Sequence, residues 1–540
     1  MERSKKRGTG MATGADARAE AARNRLVITA STLGTVFEWY DFFIYGTLAK
    51  IIGAQFFPAE NETAQFLLVL VTFGIGFGMR PIGAALFGHF GDRLGRKYTF
   101  LATIVVMGLA TAAVGAMPSF ATIGFAAPLL LVVLRVFQGL ALGGEYGGAA
   151  IYVAEHAPPA KRGFYTSFIQ AGVIGGFLLS VTVVIGCQAA VGNAAWEDWG
   201  WRLPFLFSLL LLAVSLWVRL KLHESPVFQA MKASGNVAHA PLRETFSSAA
   251  NVKRVIVALF GIAAGLTVIW YTAQFQAMYF LQNALHIEDN AARIMIGAGA
   301  VVSLFWFVLF GWVSDKIGRK KPIVIGYALT LVLLFPLFHW MAVAANPALA
   351  AASGGAPVVV TGSDCSYNPF AQKTQETACG QVLDVLSKKG VAYTKIQGPA
   401  GARVKVTIGR TAVDASSAET LEAALLDAGY PLEKITPPFS RGIQIVMVIA
   451  AIGFLSGMTY GPVAALLVEL FPARIRYTSL SIPYHIGTGY FGGFLPFISQ
   501  YIVARTGDPF AGLWYTIVVV AMALVVTVIW LPETAGKELD

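Results

Sequence analysis

Apolar residues along this chain gather into runs of about twenty, the length of helix that crosses a hydrocarbon core, with short polar segments between them. Twelve runs follow this pattern, at 26–52, 66–90, 98–117, 122–151, 164–189, 203–220, 254–281, 291–313, 321–343, 441–467, 477–503 and 511–531. The pattern predicts an all-α polytopic membrane protein, and the interior glycines of several runs suit close helix packing. One polar stretch, 344–440, interrupts the rhythm after the ninth run. Within it, β-branched residues cluster or alternate at Pro357–Thr361, Val391–Ile396 and Arg403–Arg410, as they do in strands. Thr374–Lys388 and Ser416–Ala428 carry amphipathic spacing, and Ser417 with Glu419 and Glu422 suits a helix start. The β-α-β-β-α order predicts a small α/β domain inserted between helices nine and ten.

Composition strengthens the membrane reading. Charged residues make up 13% of the chain, where a soluble domain carries roughly a quarter. The first run is too long and too polar-studded for a cleaved signal segment, so it stays as a helix. Basic residues then sort the short loops. Arg93, Arg96 and Lys97, Lys161 and Arg162, the segment 221–254, Lys316 to Lys321, and Arg474 with Arg476 fall on one side. The opposite short loops, near 118–121, 190–201 and 282–290, hold no lysine or arginine. By the positive-inside rule both termini face the cytoplasm of a bacterial inner membrane, and 344–440 faces the periplasm. The expected organisation is a cytoplasmic tail (1–25), an N-terminal six-helix bundle (26–220) and a cytoplasmic inter-bundle loop (221–253). Helices seven to nine (254–343), the insert (344–440), helices ten to twelve (441–531) and a cytoplasmic tail (532–540) complete it. The net charge of +10 is therefore mostly topology. Basic residues scattered over loops form no single patch and give a nucleic-acid partner no support.

The chain also repeats itself. Gly88-His-Phe-Gly-Asp92-Arg93-Leu-Gly95-Arg96-Lys97 returns at half-chain spacing as Gly311-Trp-Val-Ser-Asp315-Lys316-Ile-Gly318-Arg319-Lys320. A second echo links Glu155-His-Ala-Pro158-Pro-Ala-Lys-Arg162 with Glu469-Leu-Phe-Pro472-Ala-Arg-Ile-Arg476. The second pair stands farther apart than the first, which places the added residues of the second half in 344–440. Two similar halves in a membrane point to transport. The repeated charges, Asp92, Arg93, Arg96, Asp315, Lys316, Arg319, Glu155, Arg162, Glu469 and Arg476, suit a cytoplasmic gate better than a ligand site.

Ionisable groups inside spanning runs are costly and usually functional. Glu38 and Asp41 lie three residues apart on neighbouring positions of one helical face. Two carboxylates this close in a low dielectric do not both stay ionised, which makes a site able to load and unload a proton; the other reading is a structural acid bonded to a neighbouring helix. Arg80 sits well inside the second run, and Arg135, Gln138 and Glu145 share a stripe of the fourth. A buried guanidinium needs a carboxylate, supplied by substrate or by protein. Glu145 reads equally as a proton carrier or as an arginine's partner. Tyr45, Tyr271 and Gln274 offer polar tips for a cavity, beside Trp270, while Tyr279, near its helix end, suits an interfacial belt. Cys365 and Cys379 share the insert and form either a disulfide in an oxidising compartment or two thiols. Cys187 and His485 read as packing residues. No nucleophile–base pair or metal-ligand cluster supports an enzyme, and no metal or cofactor is expected beyond the coupling proton.

Together these motifs resemble the major facilitator superfamily, in which a G-x-x-x-D-R-x-G-R-R/K turn joins helices two and three. The resemblance extends to its metabolite:proton symporter family. It rests on Glu38-Trp-Tyr-Asp41-Phe, Met79-Arg80-Pro81-Ile-Gly83, Arg135-Val-Phe-Gln138-Gly-Leu-Ala-Leu-Gly-Gly-Glu145-Tyr-Gly147 and Leu222-His-Glu224-Ser225-Pro226-Val-Phe228. It implies twelve helices in two bundles, a central cavity and alternating access. It also implies proton-driven uptake of carboxylates such as oxoglutarate, shikimate or citrate, with proline and betaine in a sister branch. The insert is not part of that family's usual pattern. The expected protein is a monomeric symporter of a small organic anion, embedded in lipid, whose insert gates, captures ligand, docks a periplasmic partner or caps the mouth. A zwitterion carrier and a transporter-like sensor are the alternatives.

Overall fold

The computed structural model of the chain describes residues 32–57, 62–94, 96–144, 146–220, 241–371, 374–413, 415 and 417–539. The N-terminal tail, the start of the first apolar run and most of the inter-bundle loop fall outside them.

Eight helices among the described residues are long and apolar enough to cross a membrane: Glu62–Phe87, Ala126–Glu155, Pro159–Val191, Ala249–Ala284, Asp289–Ile317, Lys320–Ala345, Phe439–Leu470 and Leu513–Trp530. The pair Asn193–Gly200 and Arg202–Trp217, bent by 65°, makes a ninth if it is one span. The remaining apolar runs are helical but shorter. Residues 32–47 turn at Leu48 into Ala49–Phe56, and helix Arg96–Ala116 carries the apolar segment Leu101–Ala116. Arg476–Ile486 and Leu495–Thr506 are separated by a widened π turn, Gly487–Gly493. Large apolar side chains such as Phe125, Leu129, Trp217, Phe305, Val332 and Val518 are exposed on the outer faces. Water would oppose that arrangement; a hydrocarbon solvent favours it.

Glycine sets the closest helix approach. Gly76 and Arg80 of one strip meet Gly139 and Gly143 of helix Ala126–Gly143 so tightly that a Cβ on either latter glycine would overlap a carbonyl oxygen across the contact. Small residues let backbones pack where lipid offers no hydrophobic drive between helices. The first and second halves of the chain then meet along three seams. Helix Arg162–Val191 lies on Asp289–Ile317, Arg80–Leu94 on Arg476–Ile486, and Glu62–Gly78 on the π turn Gly487–Gly493.

Between the ninth and tenth apolar runs stands a four-stranded sheet. Its strands are β1 (Val358–Gly362), β2 (Tyr393–Gln397), β3 (Lys405–Ile408) and β4 (Thr411–Val413), in the order β2-β1-β3-β4. β1 pairs parallel with β2 through the crossover helix Ala378–Lys388, and antiparallel with β3. Sequence spacing read Arg403–Arg410 as one strand. The chain instead turns at Gly409, whose φ of +62° a side chain would resist, and forms the β3–β4 hairpin. Thr377 and Ser417 cap the two helices of this region, Ser417 through a capping box with Thr420. A disulfide joins Cys365 to Cys379 and ties the loop after β1 to the crossover helix.

The insert is bonded to the helical body. Ile435 N–H donates to the His286 carbonyl (2.8 Å) and Glu288 N–H to the Ile435 carbonyl (3.0 Å). Arg505 donates to the Tyr367 carbonyl (2.9 Å), and Tyr393 N–H to that of Gly507 (3.2 Å). The His286 ring Nδ1 lies 2.8 Å from the Pro431 carbonyl. Burial pushes the His286 pKa below its ordinary value, and the neighbouring Lys434 and Lys50 add to this, although carbonyls of Pro431 and Lys389 oppose them. A base depressed in the folded state contributes stability that is complete above its unfolded value and is lost as pH falls below about 6.5. The protection factors of amides 286–290 and 430–436, measured against intrinsic exchange rates at each pH, should therefore fall between pH 7 and 5, and His286→Gln should flatten that dependence. An unchanged profile in the variant would remove His286 as the cause.

Candidate functional site

At the end of the bundle opposite the insert, charged residues of both halves interlock. Arg162 opens helix Arg162–Val191, and its Nη1 donates to Glu469 Oε1 at 3.0 Å. Arg319 reaches the same carboxylate through Nη2 (3.0 Å) and Nε (3.2 Å), and Asp315 through Nη1 (2.6 Å). Asp315 in turn accepts from the backbone N–H groups of Gly163 and Phe164, both at 2.8 Å. A carboxylate at a helix N-terminus meets unsatisfied donors and the positive end of the dipole, so this contact binds the second half to the first. The echo is reciprocal, because Arg476 stands 3.5 Å from Glu155. Each half's arginine thus faces the other half's glutamate. Glu469, Arg319 and Arg162 are almost wholly buried.

The repeated glycine has a steric task here. A Cβ on Gly311 would sit 2.7 Å from the Gly163 carbonyl oxygen, so a side chain would wedge the halves apart. Lys316 is exposed and joins none of these contacts. Asp92 and Arg93 lie in helix Arg80–Leu94 and Arg96 opens the next, but their side chains are outside the described residues. Sequence reading missed Glu533 and Thr534. Thr534 donates to Glu469 at 2.9 Å, and Glu533 accepts from the N–H groups of Arg319 (2.8 Å) and Lys320 (3.2 Å). Burial pushes the Glu533 carboxyl up, yet four backbone donors outweigh it and hold its pKa below the ordinary glutamate range. Burial alone would lower the Arg319 pKa; the Glu469 and Asp315 carboxylates reverse that and raise it. No local pattern in the tail announces either residue.

The middle of the bundle is lined by aromatic rings and two arginines. Arg135 is fully buried, with its guanidinium 4.1 Å from the Phe42 ring and 4.4 Å from the Tyr45 ring. Its Nη1 donates to Gln138 Oε1 (2.7 Å), and Gln138 Nε2 donates to Thr111 (2.8 Å). With Nη2 also donating to the Phe73 carbonyl (3.4 Å), only Nε of Arg135 is without a hydrogen-bond partner among the described residues. Arg80 is different. Its Nη1 donates to Thr488 of the opposite half (3.2 Å), while Nε and Nη2 find no hydrogen-bond partner among the described residues. It lies over Trp39 at 5.1 Å and Phe77 at 5.3 Å. Neither arginine forms an ion pair with a described carboxylate. Further buried atoms without partners there are the Tyr271 hydroxyl, Gln274 Oε1 and both ring nitrogens of His485. Gln274 lies in the π turn Thr272–Gln276 and Thr488 in Gly487–Gly493, widened turns of a kind common at functional sites.

Above this zone, Phe43 stacks on Trp270 at 5.1 Å, and Phe73 and Phe77 pack against Tyr271 and Phe275. The Tyr279 hydroxyl donates to the Gly46 carbonyl at 3.0 Å, joining the halves. Tyr279 is buried, not part of an interfacial belt: its ring packs edge-on against Phe66 of the other half. The centre is thus closed toward both ends.

Glu38 and Asp41 come together as spacing predicts, but away from the arginines. They line a gap of about 20 Å³ with Met107, Leu211 and Ser215, enough room for a single water. Ser208 stands within hydrogen-bonding reach of Asp41. Glu145 lies outside the described residues. Among those residues, no group of three or more His, Cys, Asp or Glu side chains is placed to hold a metal.

Comparison with known proteins places the chain among transporters. The chain matches the sugar (and other) transporter family over residues 26–259 and 425–540. It is similar to the inner membrane metabolite transport protein YhjE of Escherichia coli (strain K12), 32% identical over 504 residues that cover 91% of each chain. The shikimate transporter of the same strain is 38% identical over 59% of this chain and 72% of its own. The proline/betaine transporter of that strain is 35% identical over 58% of this chain and 64% of its own length. Among solved structures, the proton:xylose symporter XylE bound to 6-bromo-6-deoxy-D-glucose aligns over 96% of this chain and 98% of its own. Its TM-score is 0.63 at 18% identity, a likeness of fold. The chain is a membrane transporter and not an enzyme. It belongs to the sugar (and other) transporter family of the major facilitator superfamily.

Proposed function

We propose that the chain is a proton-coupled symporter that takes up a small organic carboxylate by alternating access. In this reading the nine spans and three shorter helical runs make twelve helices in two bundles. The interlocked charges form the cytoplasmic gate, and the insert stands in the periplasm. The observation that carries the substrate class is Arg80, a buried guanidinium at the seam of the halves with two N–H groups left for a ligand. A planar fork of donors matches a carboxylate. Two relatives bear on the class in different ways, since one is named for shikimate and another for proline and betaine. A quaternary ammonium would seek open aromatic faces, but Arg135 already covers Phe42 and Tyr45, and Arg80 covers Trp39. That favours the anion.

Asp41 and Glu38 supply the proton site. Binding a proton there shifts the balance between outward and inward states only through the helices around the gap, because neither acid touches the arginines. In proteoliposomes, carboxylate uptake by the wild type should acidify the lumen, and an inward-directed proton gradient should drive accumulation. Asp41→Asn should keep substrate exchange but lose uphill accumulation. Uptake indifferent to the proton gradient, with normal accumulation by Asp41→Asn, would sink the coupling assignment.

A further inference from the structure

A cavity of ≈ 520 Å³ lies where the insert meets both halves of the body, outside the Tyr279–Gly46 closure. That volume is typical of small-molecule sites, which span about 300–1,000 Å³. One wall is the Lys50–Ala54 and Glu62–Leu67 segments, a second is Gln276–His286, and the insert's Ser387–Tyr393 and Lys434 complete it. Tyr279 and Gln276 line this cavity and also belong to the helix that carries Tyr271 and Gln274. The cavity therefore lies on the insert's side of the arginine-lined centre, along the same helix.

Among the described residues its charged lining is lopsided: Lys50, Lys388, Lys389 and Lys434 against Glu62. Two of the lysines are matched from behind, Lys388 by Asp384 (2.8 Å) and Lys389 by Glu422 (2.8 Å). Lys434 and Lys50 must share one carboxylate, Asp289, at 2.7 Å and 3.6 Å. The longer separation is beyond hydrogen-bond distance, so Lys50 keeps its donors for another acceptor. The two side chains come from different parts of the molecule, Lys50 from the first half and Lys434 from the end of the insert region. Both are partly exposed, at 37% and 46%. Two ammonium groups on one carboxylate leave a positive charge facing a cavity of ligand size.

We propose that this cavity binds a small organic anion before it enters the centre, with Lys50 and Lys434 as its charge contacts. The insert then serves as part of a binding site and not only as a cap. The ligand's class rests on the carboxylate reading of Arg80, but the site is tested separately from it. Citrate and 2-oxoglutarate are titrated calorimetrically into the full-length protein carrying Arg80→Gln, which disables the centre. Saturable binding is expected to remain, and Lys434→Gln with Lys50→Gln should weaken it about tenfold or more, the loss of charge-assisted contacts. Lys434→Arg with Lys50→Arg should restore it. Asp289→Asn should tighten it several-fold, because it releases both lysines; a purely structural tether predicts weakening instead. The proposal is overturned by absence of binding in the Arg80→Gln protein, by affinity indifferent to the lysines, or by Asp289→Asn weakening binding as the double variant does. Failure of the carboxylate reading looks different: wild-type protein would then take up betaine but neither acid, whatever the titrations give.

Discussion

Glu469→Gln is expected to unlatch the two halves. The Glu469 carboxylate is fully buried and accepts from Arg162, twice from Arg319, and from Thr534. Glutamine keeps the shape but removes the charge, leaving two buried guanidiniums without their shared counter-ion. Breaking one side of a buried pair costs about 3–5 kcal/mol. A penalty of that size, felt only in the latched state, shifts the conformational equilibrium about a hundredfold to a few thousandfold. The measurement is double electron–electron resonance between spin labels at Lys161→Cys and Lys316→Cys, with Cys187→Ser. Both lysines are exposed, and they flank the latch from opposite halves. The distance distribution should move to longer values in the variant, and accumulation of substrate should fall with it. A distribution identical to the wild type would show that the network is only structural.

The second large effect belongs to Arg80. Arg80→Lys keeps a positive charge but loses the planar fork, and Arg80→Gln loses both. Truncating one side of a hydrogen-bonded charge pair costs about 2–5 kcal/mol, so carboxylate uptake should lose about 30- to 3,000-fold in kcat/KM in either variant. Arg135 should respond in another way. Its guanidinium is occupied by Gln138 and packed over Phe42 and Tyr45, so Arg135→Lys should lower the melting temperature more than it alters KM. If the two arginines exchanged these behaviours, Arg135 would be the substrate contact. If Arg80→Lys transported normally, the centre would not be a carboxylate site.

Much of this was legible from one sequence, for identifiable reasons. Runs of apolar residues report helices because lipid forces every backbone group to be satisfied within its own segment. The repeated turn and its echo named Asp315, Arg319, Arg162, Glu469, Glu155 and Arg476, because a charge pattern kept in two halves has a shared geometric task. What pairs with what was not legible. Helical periodicity places Glu38 and Asp41 on one face, but it does not say which helix that face meets. Here it meets Met107 and Leu211 rather than either arginine. The break at Gly487–Gly493 was equally hidden, since a π turn depends on contacts such as that of Gly489 and Gly493 with Phe77 across the seam. Tyr279 looked interfacial by position alone; its partner Gly46 lies in the other half, more than two hundred residues away.

On the gate reading, Glu469 also sets how the halves part. One carboxylate holds guanidiniums from opposite halves, and the same carboxyl oxygen, Oε1, accepts from both. Drawing Arg162 away leaves Glu469 with Arg319 of its own half and strips Arg162 of its carboxylate, while Arg319 keeps Asp315 throughout. The halves therefore have no halfway arrangement in which every buried charge keeps a partner. On the gate reading, parting the halves carries the cost of an unpaired Arg162 from the first step, which favours a switch with two positions over a hinge that can rest anywhere along its arc.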